Sequence, residues 1–169
     1  MTTLAVIGDT HIPQRAHDLP RSCWRHIESS DAVLHAGDVL SRTFLERIRA
    51  VKPVHVVRGN NDRELGDVPA TVVLKVGGVR IGMVHDSGAR AGRRRRLRVL
   101  FPQARVVVYG HSHIPFLEDD GELLVLNPGS PTDRRRMPTF TMALLRIERT
   151  DVGAELVDLG LERAAPRGR

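Results

Sequence analysis

Short apolar runs recur along this sequence, and each of them is followed by a polar residue that can bind a metal ion. We predict strands at positions 4–7, 32–34, 53–57, 79–84 and 105–109. The polar residues that follow them are Asp9, His11, Asp38, Asn60, His85, His111 and His113. Ligand sites in α/β proteins gather beyond the carboxyl ends of strands. The seven side chains can therefore converge although about a hundred residues separate the first from the last.

Helix-like segments lie between several of these runs, which predicts an α/β fold. The predicted helices are at 18–27, at 41–50 with Ser41 as N-terminal cap, and at 90–100. The dipeptide Gly77-Gly78 predicts a tight hairpin between strands at 71–76 and 79–84. Further strands, predicted to be mainly antiparallel, are at 122–126, 140–147 and 152–159.

The length of 169 residues is that expected of one domain with its own core. We predict a single domain over residues 1–160. The polar, basic segment 161–169 is interpreted as a disordered tail.

The spacing within the polar segments suits metal binding. Asp-x-His at Asp9 and His11, and His-x-His at His111 and His113, put two ligands on alternate positions of an extended loop, from which both can reach one ion. Mixed imidazole and carboxylate ligands favour Mn²⁺, Fe²⁺, Ni²⁺ or Zn²⁺ over Ca²⁺ or Mg²⁺. Two such ions about 3.5 to 4 Å apart are typical of centres that hydrolyse phosphate esters. Asp38 is our candidate for the residue that bridges them.

Each of these residues alone has an ordinary structural interpretation, and their joint occurrence is what favours a site. Asn60 is the weakest member, because Asn after Gly is above all a turn signal. Asp62 is interpreted as structural or as a residue that holds a ligand histidine. His35 could line the site, but it has no partner at ligand spacing. The remaining histidines are interpreted as surface or core residues: His17, His26 and His55.

In these motifs the chain resembles the calcineurin-like metallophosphoesterase superfamily, and specifically its small single-domain phosphodiesterases from bacteria and archaea. The motifs are Gly8-Asp9-Thr10-His11, Gly37-Asp38, Gly59-Asn60-Asn61-Asp62, His85, Gly110-His111-Ser112-His113 and Asn127-Pro128-Gly129-Ser130. Their order and spacing cover nearly the whole chain.

The resemblance implies a four-layer α/β/β/α sandwich of two mixed sheets, with a dinuclear centre at one edge. It assigns Asp9, His11, Asp38 and His113 to the first metal. It assigns Asp38, Asn60, His85 and His111 to the second. It also implies that the segment from Asn127 through Gly129 to Ser130 lies near the site, where it would support the metal loops or meet substrate.

Asn61 departs from a common feature of the family, because many members have a histidine directly after the asparagine ligand. Asparagine cannot act as an acid catalyst, and the small single-domain branch commonly lacks this histidine too. Phosphodiesters, or esters with good leaving groups, are therefore the expected substrates. A second departure is Asp86, which follows His85 where the family generally has glycine.

The function predicted from these residues is hydrolysis of a phosphodiester by a hydroxide that bridges two divalent ions, Mn²⁺ first among them. Asp38, Asn60 and His111 are assigned to catalysis, and Asn61, Asp62, Asn127 and Gly129 to their surroundings. The alternatives are a nuclease or nucleotide phosphodiesterase, and a noncatalytic protein-binding scaffold of the same fold. The substrate is expected to be a small phosphate ester or a nucleotide.

A net charge of +6 and an isoelectric point near 10.8 favour contact with an anion. The arginine clusters at 93–98 and 134–136 and in the tail are interpreted as solvated surface. An aromatic content of 4% offers few stacking platforms, so a nucleic-acid surface is possible in principle but not favoured.

The expected compartment is the cytoplasm, because the first residues lack a basic leader and Cys23 has no second cysteine to pair with. No apolar stretch approaches the roughly 20 residues that span a bilayer, so no membrane partner is expected. The sequence leaves a homo-oligomer open.

Overall fold

Ten strands and three helices form the part of the chain that a computed structural model describes, residues 1–161. The strands are β1 (Thr2–Ile7), β2 (Ala32–His35), β3 (Val54–Val56), β4 (Thr71–Val76), β5 (Val79–Val84), β6 (Val106–Val108), β7 (Phe116–Asp119), β8 (Leu124–Asn127), β9 (Phe140–Glu148) and β10 (Asp151–Gly160). The helices are α1 (Arg21–Ser29), α2 (Arg42–Arg49) and α3 (Arg93–Leu100). The cap predicted at Ser41 is confirmed, because its side chain accepts a hydrogen bond from the backbone N–H of Phe44.

The first sheet has the strand order β10-β9-β1-β2-β3, with β1, β2 and β3 parallel and β9 and β10 antiparallel. Ile7 pairs with His35, and His35 pairs with Val56. The three parallel strands therefore end side by side, and the loops after them leave the sheet at one edge.

The second sheet has the strand order β4-β5-β6-β8-β7. The strands β5, β6 and β8 are parallel, while β4 and β7 pair antiparallel at the two edges. Met83 pairs with Val108 near the ends of β5 and β6, so the loops after these two strands also leave their sheet together.

Alternating side chains divide the core into layers. In β1, Leu4 and Val6 pack between the two sheets, whereas Ala5 and Ile7 pack beneath α1 and α2. In β6, Val107 faces outward and packs in one cluster with Leu97 of α3. Strands buried on both faces explain why the runs are continuously apolar. The predicted four-layer α/β/β/α sandwich is confirmed.

Several predicted boundaries are wrong. The helix predicted from Asp18 begins at Arg21, because Leu19 precedes a proline and residues before proline avoid helical backbone. The helix predicted from Arg90 begins at Arg93, after Gly92 takes a left-handed conformation with φ 70°. The strand β7 was not predicted, and β8 is parallel to β6 rather than part of an antiparallel region.

The predicted tail lies almost wholly outside the described residues. Leu161 is an exposed turn residue, and positions 162–169 are not described. Of the helices within residues 1–161, none is long and apolar enough to cross a membrane.

Candidate metal centre

The loops that follow five strands bring the predicted ligands together where the two sheets meet. Asp9, Asp38 and Asn60 follow the parallel strands of the first sheet, and His85 and His111 follow β5 and β6 of the second. Five predicted ligands take left-handed backbone conformations that a side chain ordinarily resists: Asp9 (φ 52°), His11 (44°), Asp38 (56°), His111 (69°) and His113 (59°). Such conformations persist only where the surroundings enforce them, and they cluster at functional sites.

Two groups of buried side chains place possible ligand atoms within 4.8 Å of one another. One group is Asp9, His11 and His113, and the other is Asp9, Asp38 and His85. Asp9 belongs to both. The Oδ2 atom of Asp38 lies 3.5 Å from Nε2 of His11 and 3.5 Å from Nε2 of His85, so the Asp38 carboxylate also lies between the two groups.

Backbone carbonyls fix which nitrogen of two histidines faces the centre. Nδ1 of His85 lies 2.7 Å from the carbonyl oxygen of Ala36, and Nδ1 of His113 lies 2.6 Å from that of Asp133. A carbonyl only accepts, so each Nδ1 carries the proton and donates it. In its neutral form each ring therefore presents the lone pair of Nε2 to the centre, which is the arrangement of a metal-binding histidine.

The environment of Asp9 is that of a carboxylate prepared for a cation. Its Oδ1 accepts from the backbone N–H of His111 at 3.1 Å, whereas its buried Oδ2 has no hydrogen-bond partner within residues 1–161. Burial raises the pKa of Asp9 to about 7, and His85 opposes part of that shift. An unpartnered buried carboxylate oxygen is costly, and a metal ion would satisfy it.

Acceptor atoms also converge around Asn60. Its Oδ1 lies 3.0 Å from Nε2 of His85 and 3.0 Å from Nδ1 of His111. Because Nδ1 of His85 donates to Ala36, Nε2 of a neutral ring is an acceptor, and it faces the side-chain oxygens of Asn60 and Asp38. Acceptors this close need a second proton on Nε2 or a metal ion bound between them. Burial alone would lower the pKa of His85, but the nearby Asp38 and Asp9 outweigh it and raise that pKa. The residues present thus fit a cationic centre.

Asn61 and Asp62 support Asp38 rather than extend the ligand set. Asn61 donates its backbone N–H to Oδ1 of Asp38 at 2.9 Å and its side-chain amide to Oδ2 at 2.7 Å. Burial opposes ionisation of Asp38, but His85 and these Asn61 hydrogen bonds outweigh it and hold its pKa well below the ordinary value. Asp62 accepts from the backbone N–H groups of Asp38 (2.9 Å), Leu40 (2.8 Å) and Gly59 (2.7 Å). Its contacts are those of the structural interpretation, not of a residue that holds a histidine.

Glycine is required at position 59, because a Cβ there would overlap the carboxylate of Asp38. Gly37 has the same role beside His85: its φ is 94°, and an added Cβ would lie 2.7 Å from Nδ1 of the ring. The close approach of the loops thus depends on both glycines.

His35 lies beside the centre but points its nitrogens at the loop framework. Its Nδ1 accepts from the N–H of Gly37 at 3.2 Å, and its Nε2 lies 3.1 Å from Oγ1 of Thr10. Burial lowers the pKa of His35 to about 3, so the ring is neutral and supports the loops. Burial likewise lowers the pKa of His113 to about 4.

The segment from the end of β8 to β9 holds two of the candidate ligand loops in place, those after β1 and β6. Asn127 donates to the carbonyl of Gly110 at 3.0 Å and accepts from the N–H of Gly129 at 2.9 Å. Ser130 donates to the carbonyl of Asp9 at 2.8 Å, and Thr132 donates to that of Thr10 at 2.6 Å. Sequence reasoning missed Thr132 and Asp133. Their one signal is that they directly follow the Asn127–Ser130 turn.

The basic helix α3 binds the protein itself rather than lining the centre. Arg93 donates to the hydroxyl of Tyr109 at 2.8 Å and lies over its ring. Arg94 pairs with Glu118 at 2.7 Å and with Asp120 at 2.6 Å, and Arg96 donates to carbonyls of the preceding loop. Arg93 and Arg94 thus attach the helix to the second sheet and the loop after β6, which the solvated interpretation did not include, whereas Arg95 and Arg96 are exposed.

A family model and two curated relatives all place the chain among the phosphoesterases. The model of the calcineurin-like phosphoesterase superfamily domain matches residues 2–150. A probable metallophosphoesterase of Methanothermobacter thermautotrophicus is 34% identical over 160 residues, which cover 93% of this chain and 92% of the relative. One of Methanocaldococcus jannaschii is 35% identical over 148 residues, covering 86% and 76%.

A solved structure extends the likeness to a protein that holds a metal. The crystal structure of Vps29 from Entamoeba histolytica complexed with Zn²⁺ is 27% identical, has a TM-score of 0.75, and covers 93% of this chain and 99% of its own. With its ordered motifs, two layered sheets and converging ligand groups, the chain belongs to the calcineurin-like phosphoesterase superfamily.

Proposed function

We propose that this protein is a metal-dependent phosphodiesterase with a dinuclear centre. Asp9, His11, Asp38 and His113 would hold the first ion. Asp38, Asn60, His85 and His111 would hold the second. The observation that carries the proposal is the pair of adjacent buried ligand groups, between which Oδ2 of Asp38 lies 3.5 Å from Nε2 of both His11 and His85. The Oδ2 of Asp9, unpartnered within residues 1–161, is a further acceptor for a cation. Mixed nitrogen and oxygen ligands favour Mn²⁺, with Ni²⁺, Fe²⁺ or Zn²⁺ as alternatives.

The ligands differ in exposure, which suggests how substrate approaches. Asp9, Asp38, His85 and His113 are buried, whereas Asn60 and His111 are exposed. Bound divalent ions supply Lewis acidity and a water whose pKa falls to about 7, so hydroxide is available near neutrality. Asn60 and His111 would meet the phosphoryl group at the mouth, and Asp38 would hold the two half-sites in register. With Nδ1 of His85 and His113 donating to backbone carbonyls, their Nε2 atoms would face the ions, whose charge the carboxylates of Asp9 and Asp38 would offset.

Specificity for diesters is proposed from what stands beside Asp38. Asn61 uses its side-chain amide to bind the Asp38 carboxylate, so this position contributes no acid that could protonate a leaving group. An alkoxide that leaves unprotonated must be a good leaving group, and the lower charge of a diester eases attack by hydroxide. A cytoplasmic location, with a small phosphate ester or nucleotide as substrate, is part of this proposal.

The test is to remove bound metal with a chelator, restore Mn²⁺, Ni²⁺, Zn²⁺ or Mg²⁺ singly, and assay bis(p-nitrophenyl) phosphate beside p-nitrophenyl phosphate. We expect activity to disappear with the metal, to return best with a transition-metal ion, and to favour the diester. Metal analysis should give about two ions per chain. Hydrolysis that survives chelation, or a monoester that is hydrolysed faster, would contradict the proposal.

A second candidate is a protein-binding scaffold, which the likeness to Vps29, a vacuolar protein sorting protein, favours. The scaffold predicts that hydrolysis is absent from a preparation that holds two ions, so metal content and activity measured together separate the two functions. A nuclease or nucleotide phosphodiesterase remains within the enzymatic proposal and is separated by adding dinucleotides and cyclic nucleotides to the same assay.

A further inference from the structure

A cavity of about 410 Å³ opens beside the candidate metal centre on its His113 side. One wall is the loop 112–114, which includes His113 itself, and the other is the segment 134–137. Three consecutive arginines lie in the second wall, and no acidic side chain is among the residues that line the cavity. The cavity is therefore cationic, and a group that enters it from the metal centre should be anionic.

The arginine-bearing segment is held rigidly against the ligand loops. Ser130 and Thr132 bind the carbonyls of Asp9 and Thr10, and the carbonyl of Asp133 binds His113. A turn follows at once, closed by the N–H of Met137 on the carbonyl of Arg134 at 2.8 Å. Side chains at the tip of this turn are thus positioned relative to the centre by the same hydrogen bonds that position its ligands.

Arg135 and Arg136 are the members of the segment that are left for a ligand, because both are exposed and neither has a side-chain hydrogen bond or ion pair within residues 1–161. Arg134 donates to the carbonyl of Met137 at 2.5 Å, and the Asp133 carboxylate is already engaged, 3.3 Å from Arg15 and 3.7 Å from Nδ1 of His113. Of the two exposed arginines, Arg135 is the one whose charge acts on Asp9, His11 and His113, and it lines the cavity together with His113.

The backbone of Arg135 is strained, with φ 48° in the left-handed region. A non-glycine residue in this conformation is uncommon, and the neighbouring loops enforce the same conformation on the candidate ligands. Arg135 in the cavity wall thus shares the left-handed backbone conformation of the candidate ligands.

We propose that Arg135 binds a second phosphate of the substrate, so that the preferred substrates are phosphodiesters carrying another phosphate one nucleoside away from the bond that is cleaved. This rests on the proposed function. A guanidinium binds phosphate oxygens through two parallel hydrogen bonds. The exposed side chain of Ile114 and the side chain of Met137 give the cavity an apolar wall for the group between the two phosphates.

The experiment uses two substrates with the same scissile bond, thymidine 5′-(p-nitrophenyl phosphate) with and without a 3′-phosphate, and the Mn²⁺-loaded protein. We expect the wild type to prefer the 3′-phosphorylated substrate in kcat/KM. Arg135→Gln should reduce that preference about tenfold to a hundredfold, the loss expected for a charge-assisted hydrogen-bonded contact. Arg135→Lys should retain part of it, because it keeps the charge but not the paired hydrogen bonds.

Arg95→Gln is the matched control, since Arg95 is exposed on α3 and away from the cavity, and it should keep the wild-type preference. A wild type without preference, or an Arg135→Gln variant that retains it, would overturn the assignment of Arg135.

Failure of the proposed function has a different signature, namely no hydrolysis of either substrate or of bis(p-nitrophenyl) phosphate. In that case calorimetry with thymidine 3′,5′-bisphosphate and thymidine 5′-monophosphate still decides the question. Tighter binding of the bisphosphate by the wild type that Arg135→Gln abolishes supports the second-phosphate site, and equal binding of the two nucleotides overturns it.

Discussion

The two sheets contribute different chemistry to one centre. Loops of the first sheet carry both carboxylates, Asp9 and Asp38, while loops of the second sheet carry only imidazoles, His85, His111 and His113. The first sheet also supplies the carbonyl of Ala36 that sets the tautomer of His85. Among the candidate ligands, carboxylates thus lie only on the side of the first sheet, and the side of the second sheet contributes imidazoles. The difference predicts that substitutions on the two sides will not be equivalent.

The largest effect is expected when a carboxylate of the first sheet loses its charge. Asp38→Asn should lower kcat/KM by about a thousandfold or more, in line with the cost of leaving neighbouring buried charges uncompensated. His111→Gln, an exposed position on the second sheet, should cost about 10- to 100-fold. Both are measured as kcat/KM together with metal content per chain.

Asp67→Asn is the control for the same chemical change, because Asp67 is an exposed residue paired with Arg42. Equal losses of kcat/KM from Asp38→Asn and His111→Gln would contradict the expected difference between the two sheets.

A second test concerns the charge that the first sheet buries. In metal-free protein the pKa of Asp9 is raised from 3.8 to about 7, so the folded state holds a proton that the unfolded state releases. This contribution to stability is full below pH 3.8 and is lost as pH rises through 7, a change of up to about 4 kcal/mol. Asp9→Asn should remove it. The metal-free variant should therefore lose less stability than the wild type between pH 5 and pH 8.

Urea unfolding with chelator present, at pH 5 and pH 8, measures this difference. Because every other titrating group is shared, wild type and variant need only be compared with each other. If the free energy of unfolding changes equally with pH in wild type and Asp9→Asn, the Asp9 carboxylate is not buried as an unsatisfied charge.

The smallest effect is expected at the loop that joins the two sides. Ser130→Ala removes the hydrogen bond to the Asp9 carbonyl and leaves that buried group unsatisfied, which should lower the free energy of unfolding by about 1–2 kcal/mol. Metal affinity should weaken severalfold, because the Asp9 loop is less well held. Ser29→Ala is the control, since the Ser29 hydroxyl makes only an exposed bond within its own helix. A loss in Ser130→Ala no greater than in Ser29→Ala would exclude an anchoring role for the loop.

Local sequence signals predicted most of the fold. The hairpin of β4 and β5 was predicted with the bounds that the structure has, because Gly77-Gly78 defines the turn between two apolar runs. The strand β7 was missed because its acidic end is matched by arginines far along the chain: Arg94 binds Glu118, and Arg105 binds Asp119 at 2.8 Å. Nothing in the segment itself indicates that such partners exist.

The candidate site divides in the same way. Its predicted ligands follow strands closely, so their position relative to an apolar run was a usable signal. Thr132 and Asp133 were not recognised, because their partners lie in the loops after β1 and β6, and such contacts cannot be deduced from spacing. Arg135 lies in an arginine cluster that was interpreted as solvated surface, and nothing in the sequence indicates that it lines a cavity with His113.

The hydrogen bond from His85 to Ala36 also bears on the order in which the protein gains its chemistry. During synthesis the carboxylates of the first sheet emerge well before β5 and β6, and β9, which pairs with β1, emerges near the end. A nascent chain therefore carries Asp9, His11 and Asp38 before the histidines of the second sheet and before an essential neighbour of its first strand. Tight metal binding is therefore expected only late in folding, after the two sheets have packed together.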